Sequence, residues 1–306
     1  MKRNDERNNQ MSHIDIATPS RTIEIQKKYG IQAKKSLGQN FIIDTNILNN
    51  IVSGGSVDKD TVVIEVGPGI GALTEQIAKA AKHVYAFEID QRLLPVLDDT
   101  LSPYENITIL NQDILEVILP EFFKEHNLEN ERVVIMANLP YYITTPIIIN
   151  FLESKANIDE MIFMVQKEVG ERISANPSTK AYGSLSIAVQ YYAEAETLFT
   201  VPKTVFRPQP NVDSAIIRLD ILDEPVAEVA NEDFFFTLTR SSFAQRRKTL
   251  WNNLKMAFGK DPETQKKLRT ALDKAGIDSK RRGETLSIPE FVDLANAMMD
   301  EDIETE

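Results

Sequence analysis

Four short stretches hold residues able to do chemistry: EVGPGIGALT (65–74), FEID (87–90), NQDI (111–114) and NLPYY (138–142). In the first, Gly67, Gly69 and Gly71 let backbone approach a ligand closely where a helix opens. Their G-x-G-x-G spacing departs from the G-x-G-x-x-G that cradles a pyrophosphate, so a nucleotide-like cofactor lacking one is favoured. Glu88 stands 21 positions beyond Gly67, where a carboxylate can accept both hydrogen bonds of a ribose diol. Taken alone it reads better as a solvated acid at a strand end. Asp113 could accept from the amino group of an adenine, although as a lone residue it reads better as the N-cap of a helix from 114 onward. The last stretch ends an apolar run, VVIMA, in an amide, a proline and two aromatics. Pro140 cannot donate to a sheet ladder, so the strand must stop, and whatever Asn138 and Tyr141 do, they do at its carboxyl end.

The elements that position these residues follow from periodicity. Ser20 is a candidate cap for a helix over 21–29 that ends at Gly30, with a second helical pattern near 44–53. TVVIEVG (61–67), HVYAFEID (83–90), ITILNQDIL (107–115), RVVIMAN (132–138) and EMIFMVQ (160–166) read as strands separated by helix-length segments. That alternation predicts a parallel, doubly wound α/β sheet, and the four stretches above then share the edge where such sheets bind ligands. EAETLFTVP and VDSAIIRLD predict two further strands joined without a crossover helix. An acidic stretch after Leu222 marks a domain boundary, and the tail beyond it reads as three or four amphipathic helices punctuated by Gly259, Pro262, Gly276 and Pro289. The expected units are an N-terminal extension (1–30), a catalytic domain (31–222) and a helical domain (223–306).

Composition limits the function. No run reaches the roughly 18 apolar residues of a membrane span, and the polar N-terminal stretch has no apolar segment, which predicts an unexported, cytoplasmic protein without membrane partners. The absence of cysteine removes disulfides, thiolate metal sites and cysteine nucleophiles, and no metal site is expected. A formal charge of −12 argues on average against nucleic acid. Between Arg240 and Arg282, however, thirteen Lys/Arg face four Asp/Glu, an excess of +9. His13, His83 and His126 fall outside every motif, and Tyr142, Met161 and Met164 read as packing residues.

EVGPGIGALT, FEID, NQDI and NLPYY together resemble the successive motifs of class I S-adenosylmethionine-dependent methyltransferases, and NLPY resembles the Asn-x-Pro-aromatic signature of amino-nitrogen methylation. With SLGQNFI, FRPQPNVDSA and SSFAQRRKTLWNNL added, the chain from about Lys34 to its C-terminal helices is similar to the ribosomal RNA adenine dimethyltransferases, nearest to the small-subunit branch. The resemblance implies a Rossmann-like, seven-stranded, mostly parallel sheet with a small all-α C-terminal domain. It implies S-adenosylmethionine contacted by Gln39, Asn40, Ile42 (where leucine is expected), Glu65, Gly67, Gly69, Glu88, Asp113 and Asn138. It implies a monomer that dimethylates two adjacent adenosines near the 3′ end of 16S rRNA within the small subunit or its precursor, with a role in ribosome biogenesis.

An adenine amine is a weak nucleophile, and acceptors can draw it toward tetrahedral geometry. The Asn138 side-chain oxygen and the Leu139 or Pro140 carbonyl are suited to that, Tyr141 offers a stacking face, and Phe206 would close the other face by resemblance. The adjacent Arg246, Arg247 and Lys248, expected on a helix, would grip phosphates, although such a run is also an ordinary solvated face. The rivals are a dimethyltransferase of 23S rRNA, a non-catalytic RNA-binding assembly factor, and a nicotinamide oxidoreductase, the last disfavoured by the glycine spacing.

Overall fold

A computed structural model describes residues 14–31 and 39–303. Expectations for residues 1–13, including His13, and for the Lys34 to Gly38 part of the arm motif lie outside them. The described chain opens with helix α1 (Pro19–Tyr29), strand β1 (Phe41–Ile42) and helix α2 (Thr45–Gly54). The cap of α1 is Thr18, not Ser20: Pro19 takes the first helical position, where its missing N–H costs nothing, and the Thr18 hydroxyl accepts from Arg21 N.

Strands and helices then alternate: β2 (Thr61–Val66), α3 (Ala72–Ala80), β3 (His83–Phe87), α4 (Leu94–Thr100), β4 (Ile107–Leu110), α5 (Leu119–Glu125), β5 (Arg132–Asn138), α6 (Thr144–Glu153) and β6 (Glu160–Gln166). Helices α7 (Lys167–Ile173) and α8 (Ser184–Gln190) lead to strands β7 (Ala193–Val201), β8 (Phe206–Arg207) and β9 (Ser214–Ile221). The main sheet has seven strands in the order β4-β3-β2-β5-β6-β9-β7. Pairing is parallel from β4 to β6 and antiparallel on both sides of β9. Every residue of β2 is buried, as a strand covered by helices on both faces requires.

The chain runs from β2 outward to β3 and β4, then returns to place β5 on the other side of β2, so the strand order reverses between β2 and β5. Register does the rest. Val66 pairs with Ala137 and with Phe87, which puts Gly67, Asn138 and Glu88 side by side at the carboxyl edge. Both β3 and β4 are shorter than their apolar runs suggest, so Glu88 and Asp113 sit in the loops just past the strand ends.

One core joins α1–α4 to one sheet face, and Ile16, Ala17 and Ile25 of the N-terminal segment are buried in it. A second lies under α5, α6 and α8 on the other face. The tail folds as α9 (Glu232–Ser242), α10 (Leu250–Phe258), α11 (Pro262–Lys274) and α12 (Ile288–Asp300). Its core includes Tyr182, Ile187 and Tyr191 from before the 222/223 boundary, and the Tyr182 hydroxyl donates to the Leu286 carbonyl at 2.9 Å. No helix among the described residues is long and apolar enough to cross a membrane.

Candidate active site

A cleft with about 1020 Å³ of empty space, partly open to solvent, lies at the switch point. Gln39, Asn40, Ile42, Glu65, Gly67, Gly69, Glu88, Asp113 and Asn138 all line it, as does Pro140. Gly67 has φ +70°, a conformation that penalises any side chain, and the space where a Cβ would stand is open. Asp113 lines the cleft, and its Oδ1 accepts from Leu115 N–H at 3.0 Å as a cap.

Glu88 is 5% exposed; Oε2 accepts Gly69 N–H at 3.2 Å and Oε1 accepts Asp90 N–H at 2.8 Å. Burial raises its pKa above the usual carboxylate value, against those hydrogen bonds. Two of its four acceptor directions remain for a diol. Glu65 is more extreme. It is 1% exposed and, among the described residues, its Oε2 has no hydrogen-bond partner. Burial pushes its pKa up to about 8, with Thr74 opposing and the Glu88 charge reinforcing the rise. A buried acid with an orphaned oxygen in a cleft calls for a donor or cation from a ligand.

Asn138 Nδ2 donates to the backbone carbonyl of Asn40 at 3.3 Å, and among the described residues nothing donates to its Oδ1. Leu139 N–H bonds the Met164 carbonyl at 3.3 Å, which sets the turn against β6. The Pro140 carbonyl already accepts from Ile143 N–H and the Thr144 hydroxyl, both at 3.1 Å, so its lone pairs are occupied. Among the described residues nothing donates to the Leu139 carbonyl, although Leu139 is buried and does not line the cleft. Tyr141 is half-buried, with its hydroxyl 3.0 Å from Ser214 Oγ, and burial raises its pKa.

The ring of Phe206 is 4% exposed in β8, where it pairs with Ile42 and packs in the core beneath the arm; neither it nor Tyr141 lines the cleft. Tyr142, read as a packing residue, is instead 58% exposed at the mouth of the cleft, because α6 starts just beyond it and turns the next residues inward. Met161 and Met164 are core.

The basic triplet is not helical. Helix α9 stops at Ser242 and α10 starts at Leu250, leaving Arg246, Arg247 and Lys248 exposed on the turn between them. Thr249 supplies the reason, since its hydroxyl caps Asn252 N and begins a new helix there. Arg246 is committed to the Tyr182 carbonyl and to Glu284, each at 3.1 Å, whereas the side chains of Arg247 and Lys248 have no partner among the described residues. Two contributors lie inside the FEID and FRPQPNVDSA stretches with no role that residue type alone assigns: Asp90, which accepts from Gln39 Nε2 at 3.1 Å, and Ser214. Only contacts across the fold reveal them.

A seven-stranded sheet of this order, with glycine loop, acid and amide at adjoining strand ends, defines a class I methyltransferase of the Rossmann-like type, a class that uses S-adenosylmethionine. The profile of the family described as ribosomal RNA adenine dimethylase matches residues 30–294, and the chain belongs to that family. It is 59% identical over 285 residues to proteins named ribosomal RNA small subunit methyltransferase A from Bacillus mycoides and Bacillus cereus, covering 93% of this chain and 98% of theirs. Among solved structures it is similar to the 23S rRNA methyltransferase ErmE, at 26% identity and TM-score 0.64, with 85% of this chain and 100% of that one covered. A dimethyladenosine transferase from Plasmodium falciparum shares the fold at TM-score 0.73 and 23% identity, over 87% of this chain and 99% of that one.

Proposed function

We propose that this enzyme transfers methyl groups from S-adenosylmethionine to the exocyclic amines of two adjacent adenosines near the 3′ end of 16S rRNA, in the small ribosomal subunit or its precursor. The observation that carries the reading is the Asn138 amide beside the glycine loop, with its nitrogen tied to Asn40 and its oxygen left to accept. The residues present fit the cofactor: Glu88 and Asp113 as acceptors for ribose and adenine, and Glu65 as a buried acid whose Oε2 has no partner among the described residues. When bound, that group supplies an electrophilic methyl on a sulfonium.

The chain does the rest. Asn138 Oδ1 and the Leu139 carbonyl accept the two N–H bonds of the amine and draw its lone pair out of the ring. Pro140 closes the turn without a competing N–H. Tyr141, held by Ser214, flanks the extruded base, a stacking contact of about 1 to 3 kcal/mol. No strong base is needed, because the amine proton turns acidic only as nitrogen becomes cationic. Holding amine and methyl in line can supply about 7 to 11 kcal/mol. Arg247 and Lys248 grip phosphate and orient the particle.

The small-subunit reading is favoured over the 23S one by 59% identity to the small-subunit proteins against 26% to ErmE. Intact Asn138, Pro140 and Tyr141 favour an enzyme over a silent assembly factor. The test is radiolabelled methyl transfer into undermodified small subunits, with large subunits in parallel. Label in the large subunit alone, or none from the wild type, refutes the proposal.

A further inference from the structure

The strap formed by residues 39–42 touches three strand ends at once. Gln39 Nε2 donates to Asp90 Oδ2 at 3.1 Å past β3, the Phe41 ring lies 3.4 Å from where a Cβ on Gly69 would stand, and the Asn40 carbonyl receives Asn138 Nδ2 at 3.3 Å past β5. From outside, Phe41 and Ile42 pair with β8 and Ile43 N–H bonds the Val205 carbonyl at 2.9 Å. Asp90 is 5% exposed and does not line the cleft. Arg92 holds the Asp90 carboxylate through Nε at 2.9 Å and Nη2 at 2.6 Å, and the Asp90 backbone N–H donates to Glu88 Oε1 at 2.8 Å. One residue therefore touches both ends: its backbone N–H meets the acid at the ribose end of the cleft, and its buried carboxylate holds the strap that reaches the amide at the reacting end.

We infer that Asp90 is a positioning residue for the transfer: by holding Gln39 it sets the strap where the Asn40 carbonyl takes the nitrogen of the Asn138 amide, and so keeps Asn138 Oδ1 turned toward the cleft. The inference rests on the methyl transfer proposed above. Asp90 meets no reacting atom and acts through Gln39 and Asn40. The competing role is local, as cap of the turn at residues 91–93 and partner of Arg92. The two roles separate, because Arg92→Ala removes the ion pair and spares the bond to Gln39.

The experiment measures kcat at saturating S-adenosylmethionine on undermodified small subunits, together with Tm and the side-chain amide NMR signal of Asn138. Asp90→Ala is expected to lower kcat by about 10- to 100-fold, the scale of a misplacement near 1 Å, with little change in KM for the particle. Gln39→Ala should reproduce that loss, the double variant should be no worse than either single, and both singles should shift the Asn138 amide signal. Arg92→Ala should lose comparable Tm while keeping kcat within about twofold and the signal in place. Equal kcat losses in Asp90→Ala and Arg92→Ala would overturn the inference, as would multiplying losses in the double variant. If Asp90→Ala does not fold, Gln39→Ala and the amide signal decide alone. The signal also answers whether or not small subunits are the substrate, so failure of the proposed function is told apart from failure of this one.

Discussion

The amide nitrogen of Asn138 points at the backbone carbonyl of Asn40, 3.3 Å away, and the direction of that bond decides which end of the amide faces a substrate. A carboxylate in its place would set oxygen against oxygen. Asn138→Asp, which keeps an acceptor, should therefore lose transfer nearly as fully as Asn138→Ala, each by about 10²- to 10³-fold in kcat. Single-turnover methylation at saturating cofactor checks this, and a near-normal Asp variant would mean that the carbonyl of Asn40 does not orient the site.

Glu65 predicts a pH signature. Its carboxyl is raised from 4.5 to about 8 by burial, so its contribution to stability is complete below pH 4.5 and is lost as pH rises through about 8. A cationic ligand group placed beside it would reverse that shift and expel the proton. Calorimetric binding of S-adenosylmethionine near pH 7, in buffers of different ionisation heat, should show release of up to about one proton, and Glu65→Gln should abolish it. Identical proton counts for the two proteins would remove Glu65 from the ligand's surroundings.

Glu88 should govern affinity more than rate. Glu88→Ala removes a charged acceptor worth about 1.5 to 3 kcal/mol per hydrogen bond and also frees Gly69 and Asp90 N–H. The expected rise in Kd for the cofactor is about 10- to 100-fold, with kcat at saturation falling far less. Isothermal titration paired with saturation kinetics measures both.

The exposed turn divides by partner. Among the described residues the side chains of Arg247 and Lys248 have no partner, whereas Arg246 is tied to Tyr182 and Glu284. Substituting both Arg247 and Lys248 with Ala should reduce the log–log salt slope of small-subunit binding by about 1 to 2 units without altering cofactor affinity. Arg246→Ala should leave a smaller trace in that slope. An unchanged slope in the double variant would place the RNA elsewhere.

Tyr182→Phe tests the joint between sheet and tail. The hydroxyl is buried and donates to the Leu286 carbonyl at 2.9 Å, so its loss strands that carbonyl. The expected cost is about 1 to 3 kcal/mol, read as a Tm lower by about 2 to 4 °C per kcal/mol. No change in Tm would mean that water replaces the bond.

What the sequence by itself determined is the sheet edge. Runs such as TVVIEV and RVVIMAN can only be buried strands, Pro140 must end one and the glycines must end another, so the reacting residues and their common edge were legible from residue types alone. The tertiary structure decided what local pattern does not encode. Whether Tyr141 or Tyr142 faces the cleft depends on where α6 begins, and whether Pro140 or Leu139 offers a free carbonyl depends on which is consumed by that helix's first turn. Phe206 is buried because a strap 165 positions away, at Phe41, packs over the same edge. Asp90 entered the site for the same reason: its partner Gln39 is 51 positions earlier, and a hydrogen bond over that separation exists only once the chain has folded.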